Sequence, residues 1–128
     1  MQHSMRWLAC LFLASALAAC GGEDDDNDGD NNDDLPQVDC SGDIPAFDEV
    51  TAFSEVCTNC HSTGLSGTER NGAPANINWD DYDSAQVHAE DGAEEVFDND
   101  MPPPGSGHTL TNAQKEQLYR WALCGTPQ

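Results

Sequence analysis

Two thiols and an imidazole lie in one short run of this 128-residue chain, Cys57-Thr58-Asn59-Cys60-His61. Thiols three positions apart lie within one helical turn, so both can reach the same edge of a flat ring system. The imidazole that follows can then bind a metal ion at the centre of that ring. A Cys-x-x-Cys-His run is typical of c-type haem attachment, in which the thiols bond to two vinyl groups. We therefore predict one covalently bound haem on Cys57 and Cys60, with His61 as the proximal iron ligand.

Three other roles are open to the Cys57–Cys60 pair, namely a redox pair, half of a zinc site or a disulfide. A thioredoxin-like pair opens a helix after a buried strand, whereas residues 45–56 have a helical pattern. A structural zinc site needs four ligands, usually two Cys-x-x-Cys pairs, and the other cysteines of this chain stand alone. A haem-free zinc or disulfide module that serves as a binding domain is the alternative to haem attachment.

A second informative stretch is Asp-Met-Pro-Pro-Pro-Gly at residues 100–105. Proline lacks an amide proton and restricts the preceding residue, so this segment is extended and stiff rather than helical. Such a segment suits Met101 as a sixth iron ligand, and iron ligated by His and Met favours electron transfer. The alternatives are a methionine that fills a gap in the core, or His108 as the ligand. His88 is predicted to be a surface histidine.

The second ring nitrogen of a metal-bound histidine normally donates a hydrogen bond to a carbonyl or carboxylate, which fixes the tautomer. Pro74, thirteen residues past His61 in a Gly-Ala-Pro turn, is the candidate for supplying that carbonyl. An ordinary turn proline is the alternative. If the sixth ligand were displaceable, the same haem would instead suit a peroxidase-like enzyme or a sensor. The sequence contains no evident catalytic triad, phosphate-binding loop or paired catalytic carboxylates.

Helical elements are predicted around these segments. Apolar spacing predicts a helix over 45–57 that delivers the Cys-x-x-Cys-His run at its end, and another over 84–97. A last helix begins at Thr111, where Gln114 three residues on completes a capping box, and continues to about residue 124. Its apolar stripe is predicted to meet the helix of 45–57, and the fold class is all-α.

The N-terminus has the features of an export signal. A basic residue precedes an apolar run from Trp7 to Ala19, which is too short to span a bilayer. The run ends in Leu-Ala-Ala-Cys20, which resembles the lipobox of bacterial lipoproteins. That resemblance implies a signal peptide over 1–19, a lipid on Cys20, and a mature protein anchored in the bacterial cell envelope. The anchor would place it on the periplasmic side or on the outer surface of the outer membrane; ordinary secretion is the alternative.

An acidic linker is predicted over residues 20–38. Between Glu23 and Asp34 it contains eight carboxylates and no apolar side chain, so it cannot offset its ordering entropy and should form a disordered tether. Its Asp-x-Asp-x-Asp-Gly pattern matches the opening of an EF-hand loop. The twelfth position, where that loop requires a bidentate Glu, is Leu35. Calcium binding is therefore the less favoured alternative.

Two cysteines are left after these assignments, Cys40 and Cys124. A spare pair in an exported protein usually forms a disulfide, because the compartment is oxidising. Cys40 precedes the first predicted helix and Cys124 follows the last, so a disulfide requires those helices to lie together. Two free buried thiols are the alternative.

The charge of the chain restricts its partners. The formal net charge is −20. Residues 35–128 hold 16 acidic and three basic side chains, a net charge of −13. Nucleic acid and anionic headgroups are repelled, whereas a redox protein with a basic docking face would be attracted.

The order of these features resembles a small class I cytochrome c domain: helix, Cys-x-x-Cys-His, a Gly/Pro loop, a further helix, Met-Pro-Pro and a terminal helix. The resemblance covers about residues 40–125 and gives domain boundaries of 39–128. It implies a small fold of three to four helices around one haem, with the vinyl groups on Cys57 and Cys60 and the iron between His61 and Met101. It also implies that the first and last helices cross.

Overall fold

The structure, a computed structural model, describes residues 35–128 and is helical without strands in that range, which confirms the all-α fold class. We number the α-helices α1 to α4. They are α1 (Thr51–Glu55), α2 (Tyr82–Val87), α3 (Ala89–Phe97) and α4 (Asn112–Leu123), with short 3₁₀ turns at Phe47–Glu49, Cys57–Asn59 and Gly67–Arg70.

The predictions for the signal peptide, for Cys20 and for the acidic run lie outside the described residues. Within residues 35–128, no helix is both long enough and apolar enough to cross a membrane.

The predicted helix over 45–57 is wrong in its continuity, because the chain forms a 3₁₀ turn, an extended residue and then α1. The 3₁₀ turn begins where the Glu49 carboxylate accepts a hydrogen bond from the Ala46 backbone N–H at 2.9 Å. Val50 then takes an extended conformation (φ −76°, ψ 90°) and is only 1% exposed. At the first residue of α1, the Thr51 N–H and hydroxyl both donate to Gln117 Oε1 of α4, so a tertiary contact fixes where the helix begins.

The predicted helix over 84–97 begins earlier and is broken once. Asp81, not Ser84, caps α2, because its carboxylate accepts a hydrogen bond from the Ser84 N–H at 2.9 Å. The Ser84 hydroxyl instead contacts the preceding loop, where it accepts from the Asn78 N–H at 2.9 Å. At His88 the backbone leaves the helical region (φ −105°, ψ 15°), and α3 starts at the next residue.

Helix α4 agrees with its prediction. The Thr111 hydroxyl accepts from the Gln114 N–H at 3.2 Å, and the Gln114 side chain accepts from the Thr111 N–H at 2.9 Å. Beyond its end, Gly125 has a φ of +102°, which favours glycine and stops the helix. Leu118 and Trp121 on α4 are almost completely buried.

Helix α4 packs against α1, as predicted, and also against α3, and the buried core lies among these helices. The Phe53 ring stacks on Trp79 at a centroid distance of 4.9 Å and meets Trp121 edge-on at 5.0 Å. Next to this contact Cys40 and Cys124 form a disulfide, with their Cα atoms 5.4 Å apart, which confirms that prediction. The disulfide joins the segment before α1 to the end of α4.

Candidate functional site

A single cavity of about 550 Å³ brings together the residues that the sequence singled out for chemistry: Cys57, Cys60, His61 and Met101. This volume is within the range of cofactor and small-molecule sites. Most of the remaining wall is apolar, and its largest apolar side chains are Val56, Ile77, Trp79, Val96, Leu110 and Leu118.

The two thiols are held within one turn at the end of α1. The Cys57 carbonyl accepts hydrogen bonds from the N–H groups of Cys60 at 3.2 Å and His61 at 2.9 Å. The residues between the cysteines satisfy carbonyls of the preceding helix. Thr58 Oγ1 donates to the Ser54 carbonyl at 3.1 Å, and Asn59 Nδ2 donates to the Glu55 carbonyl at 3.0 Å. These hydrogen bonds attach the turn that carries the two cysteines to the end of α1.

Neither thiol is in a disulfide. Burial raises the pKa of the Cys57 thiol to about 12, so this sulfur is protonated at neutral pH. Reactive thiols of redox pairs have depressed pKa values instead. The environment of Cys57 therefore does not favour a redox pair.

The imidazole of His61 has one nitrogen engaged by the protein. Its Nδ1 lies 3.2 Å from the Ile77 carbonyl oxygen. If Nδ1 carries the proton that this bond requires, Nε2 has a free lone pair with which to bind a metal ion. Burial lowers the pKa of His61, helped by the nearby Arg70 cation and against the hydrogen bond to Ile77. A neutral imidazole is the ligating form.

The prediction that Pro74 supplies the carbonyl for His61 is corrected. The Pro74 carbonyl accepts from the Ile77 N–H at 3.2 Å and from Arg70 Nη2 at 2.6 Å. The turn that the first of these bonds closes uses the Pro74 oxygen and presents the Ile77 carbonyl to the imidazole. Pro74 still lines the cavity.

Arg70 is the residue at this site that the sequence interpretation missed. It is only 4% exposed, and its guanidinium donates to five oxygen atoms of the surrounding loop. They are Ser62 O (2.6 Å), Ala73 O (3.2 Å), Pro74 O (2.6 Å), Ile77 O (2.8 Å) and Asn78 Oδ1 (3.0 Å). The available signal was a single arginine inside a loop rich in Gly, Pro and Asn.

A carboxylate fixes the chain immediately after His61. Asp80 accepts from Ser62 Oγ at 2.6 Å and from the Thr63 N–H and Oγ1, each at 2.9 Å. Burial acts to raise the pKa of Asp80, but these hydrogen bonds outweigh it and hold the pKa below the ordinary value. The Trp79 N–H also donates to the His61 carbonyl at 2.8 Å. The proposed ligand is therefore held through both its side chain and its backbone.

Met101 is placed by the end of α3. The N–H groups of Asp100 and Met101 both donate to the Glu95 carbonyl at 2.9 Å. This turn requires Asn99 in the left-handed region (φ +66°), which asparagine tolerates better than most residues. The side chain of Met101 is partly buried, packs against the core and lines the cavity.

Two further histidines, His88 and His108, are partly buried and line the same cavity. His88 was predicted to be a surface histidine and is instead half-buried. Gly92 of α3 allows close approach of Trp79, since a Cβ at this position would lie 2.5 Å from two atoms of the indole ring.

No known family model matches this chain. No curated protein and no solved structure matches it either. Within residues 35–128, no group of three or more His, Cys, Asp or Glu side chains is placed to hold a metal ion.

Proposed function

We propose that this protein is a single-haem electron carrier of the bacterial cell envelope and not an enzyme. The haem would be bonded to Cys57 and Cys60, and its iron ligated by His61 and Met101. One observation carries the proposal. The predicted haem-binding residues come from two segments of the sequence, and His61 and Met101 are forty positions apart. In the structure, both segments line the same cavity.

The donor set fits an iron porphyrin. The site offers two free thiols on one turn, an imidazole whose Nδ1 lies next to a carbonyl, a thioether, and a largely apolar wall. When bound, the haem supplies a one-electron redox centre, and ligation by His and Met leaves no position for a substrate. The protein would contribute the two sulfur attachments, the orientation of His61 and the exclusion of water.

The fold gives further support. In the class I cytochrome c domain that the sequence resembles, the first and last helices cross, and here α1 and α4 meet next to the Cys40–Cys124 disulfide. A chain of fewer than a hundred described residues buries little apolar surface by itself. A covalently held haem would add a large apolar group to its core.

The direct test is maturation of the full chain in a bacterial host that attaches haem covalently. After denaturing electrophoresis, the wild-type band should stain for haem, because thioether bonds survive denaturation. The variant Cys57→Ala/Cys60→Ala is the control and should not stain. An unstained wild-type band would refute the proposal. If the wild-type protein stains for haem and also binds carbon monoxide, with Met101 still present, the enzyme or sensor alternative is favoured.

The proposed partners follow from the lipobox and the charge. A lipid on Cys20 would hold the protein at a membrane, which palmitate labelling of wild type and of Cys20→Ala would show. The net charge of −13 in residues 35–128 would attract a redox protein with a basic docking face. Electron exchange with that partner should slow as salt is added. Faster exchange in salt would indicate an acidic partner.

A further inference from the structure

The carbonyl oxygen of Ile77 accepts two hydrogen bonds. One comes from His61 Nδ1 at 3.2 Å and the other from Arg70 Nη2 at 2.8 Å. A carbonyl has two lone pairs and can accept both. The bond from the charged guanidinium is the shorter, as charge-assisted bonds generally are. The hydrogen bond from the imidazole is therefore the weaker of the two.

Arg70 is fixed in that position. Its other N–H groups donate to four more oxygen atoms of residues 62–78, and the side chain is 4% exposed. Within residues 35–128, its hydrogen-bond partners are carbonyl and amide oxygens and include no carboxylate. The guanidinium thus brings a positive charge close to His61 that no contacting carboxylate neutralises.

We propose that Arg70 is a positioning residue that raises the reduction potential of the haem iron by competing with His61 for the Ile77 carbonyl. This inference rests on the proposed function. A strong hydrogen bond from the imidazole to a carbonyl makes the ligand more electron-rich, which favours ferric iron. Arg70 weakens that bond, and its charge also disfavours the ferric state. Both effects oppose the negative field of this acidic domain.

The test is the reduction potential of three haem-loaded variants, measured by spectroelectrochemical titration. Arg70→Met removes the charge and the competing donor, so its potential should fall below that of wild type. Arg70→Lys keeps the charge but has no planar fork of five donors, so its potential should lie between the two. An unchanged or higher potential in Arg70→Met would overturn the proposal.

The third variant, Ser66→Ala, controls for loosening of the loop. It removes the hydroxyl that donates to the Glu69 carboxylate at the start of the 3₁₀ turn Gly67–Arg70, without any change in charge and without touching His61 or the Ile77 carbonyl. Its potential should stay near that of wild type. If it falls as far as that of Arg70→Met, Arg70 acts only by holding the loop, and the proposal is wrong.

Infrared spectra of the wild-type protein and of Arg70→Lys cover the case in which Arg70→Met does not fold. The chain has two isoleucines, Ile44 and Ile77, so ¹³C-carbonyl isoleucine gives two infrared bands, and Ile44→Val assigns them. The Ile77 carbonyl accepts two hydrogen bonds, so its band should lie at the lower frequency. In Arg70→Lys this band should shift upward. A band at or above that of Ile44 would overturn the proposal. Absence of haem from wild type would refute the proposed function as well, whereas a haem-loaded protein with an unchanged potential refutes this inference alone.

Discussion

Of the two proposed iron ligands, Met101 is the one whose side chain makes no hydrogen bond that would hold it in place. Its position depends on two backbone N–H groups that share the Glu95 carbonyl, whereas His61 is held through its ring and through its backbone. Within residues 35–128, Met101 is the only methionine, since the other two are Met1 and Met5. A change at Met101 therefore removes the only thioether in the part of the chain that the structure describes.

Replacement of Met101 by leucine keeps an apolar side chain of similar size but removes the sulfur. We expect the iron–sulfur charge-transfer absorption to disappear, the reduction potential to fall, and carbon monoxide to bind the ferrous protein. The measurements are optical spectra and a redox titration. His108→Gln, at another residue of the same cavity, is the matched control and should keep the wild-type spectrum. A wild-type spectrum in Met101→Leu would exclude Met101 as the ligand.

The hydrogen bonds that the Asp80 carboxylate accepts from Ser62 and Thr63 should make the stability of the fold depend on pH. Because its folded-state pKa is depressed, Asp80 stabilises the fold above the unfolded-state pKa of about 3.8, and this stabilisation is lost as the pH falls through the folded-state value. Denaturant unfolding should show wild type more stable than Asp80→Asn by a constant amount between about pH 5 and 8. The difference should shrink below about pH 4. A difference that grows on acidification would contradict this assignment.

At the residue scale, the sequence was informative where the side chain itself carries the chemistry. The spacing of Cys57, Cys60 and His61 predicts haem attachment without reference to the fold, and the prolines after Met101 predict a thioether on a stiff segment. Arg70 and Ile77 were not predictable in this way, because their role depends on where backbone carbonyls point. The same reason explains the incorrect choice of Pro74.

At the scale of elements, local capping was predictable and tertiary breaks were not. Helix α4 follows its prediction because Thr111 and Gln114 satisfy each other within four residues. The break at Val50 comes just before Thr51, whose N–H is bound by Gln117 from 66 positions further along the chain. The chain also breaks at His88, for which apolar periodicity gives no signal.

The contact between α3 and Trp79 can be tested by Gly92→Ala. Alanine has the higher helix propensity, by about 1 kcal/mol, but its Cβ would lie 2.5 Å from two atoms of the indole ring. Overpacking of this kind typically costs about 1–3 kcal/mol, so we expect a net loss of stability in denaturant unfolding.

The control for this prediction is the same substitution in a Trp79→Phe background. Because phenylalanine lacks the second ring, Gly92→Ala should there be close to neutral or stabilising. Equal losses in both backgrounds would show that the indole is not the obstacle.

At the scale of the whole molecule, the disulfide closes most of the described chain. Cys40 and Cys124 are separated by 84 positions. A loop of this length constrains the unfolded state, so Cys40→Ala/Cys124→Ala should lower the free energy of unfolding by about 4 kcal/mol. Guanidinium unfolding of the haem-loaded protein measures it. Loss of less than about 1 kcal/mol would mean that other contacts already hold these ends together.

The disulfide was predictable because the other cysteines had other assignments, which left Cys40 and Cys124 as a spare pair beside the first and last helices. The position of the core was harder to predict from the sequence. Trp79, which lies in none of the predicted helices, stacks on Phe53 and lines the cavity.

The most direct test of the central claim is the intact mass of the denatured mature protein, followed by mass mapping of the peptide that contains Cys57, Cys60 and His61. The account predicts a mass increase of one haem, located on that peptide, and no free thiol in the unreduced chain. A colourless protein whose Cys57 and Cys60 are recovered unmodified from a host able to attach haem would contradict it.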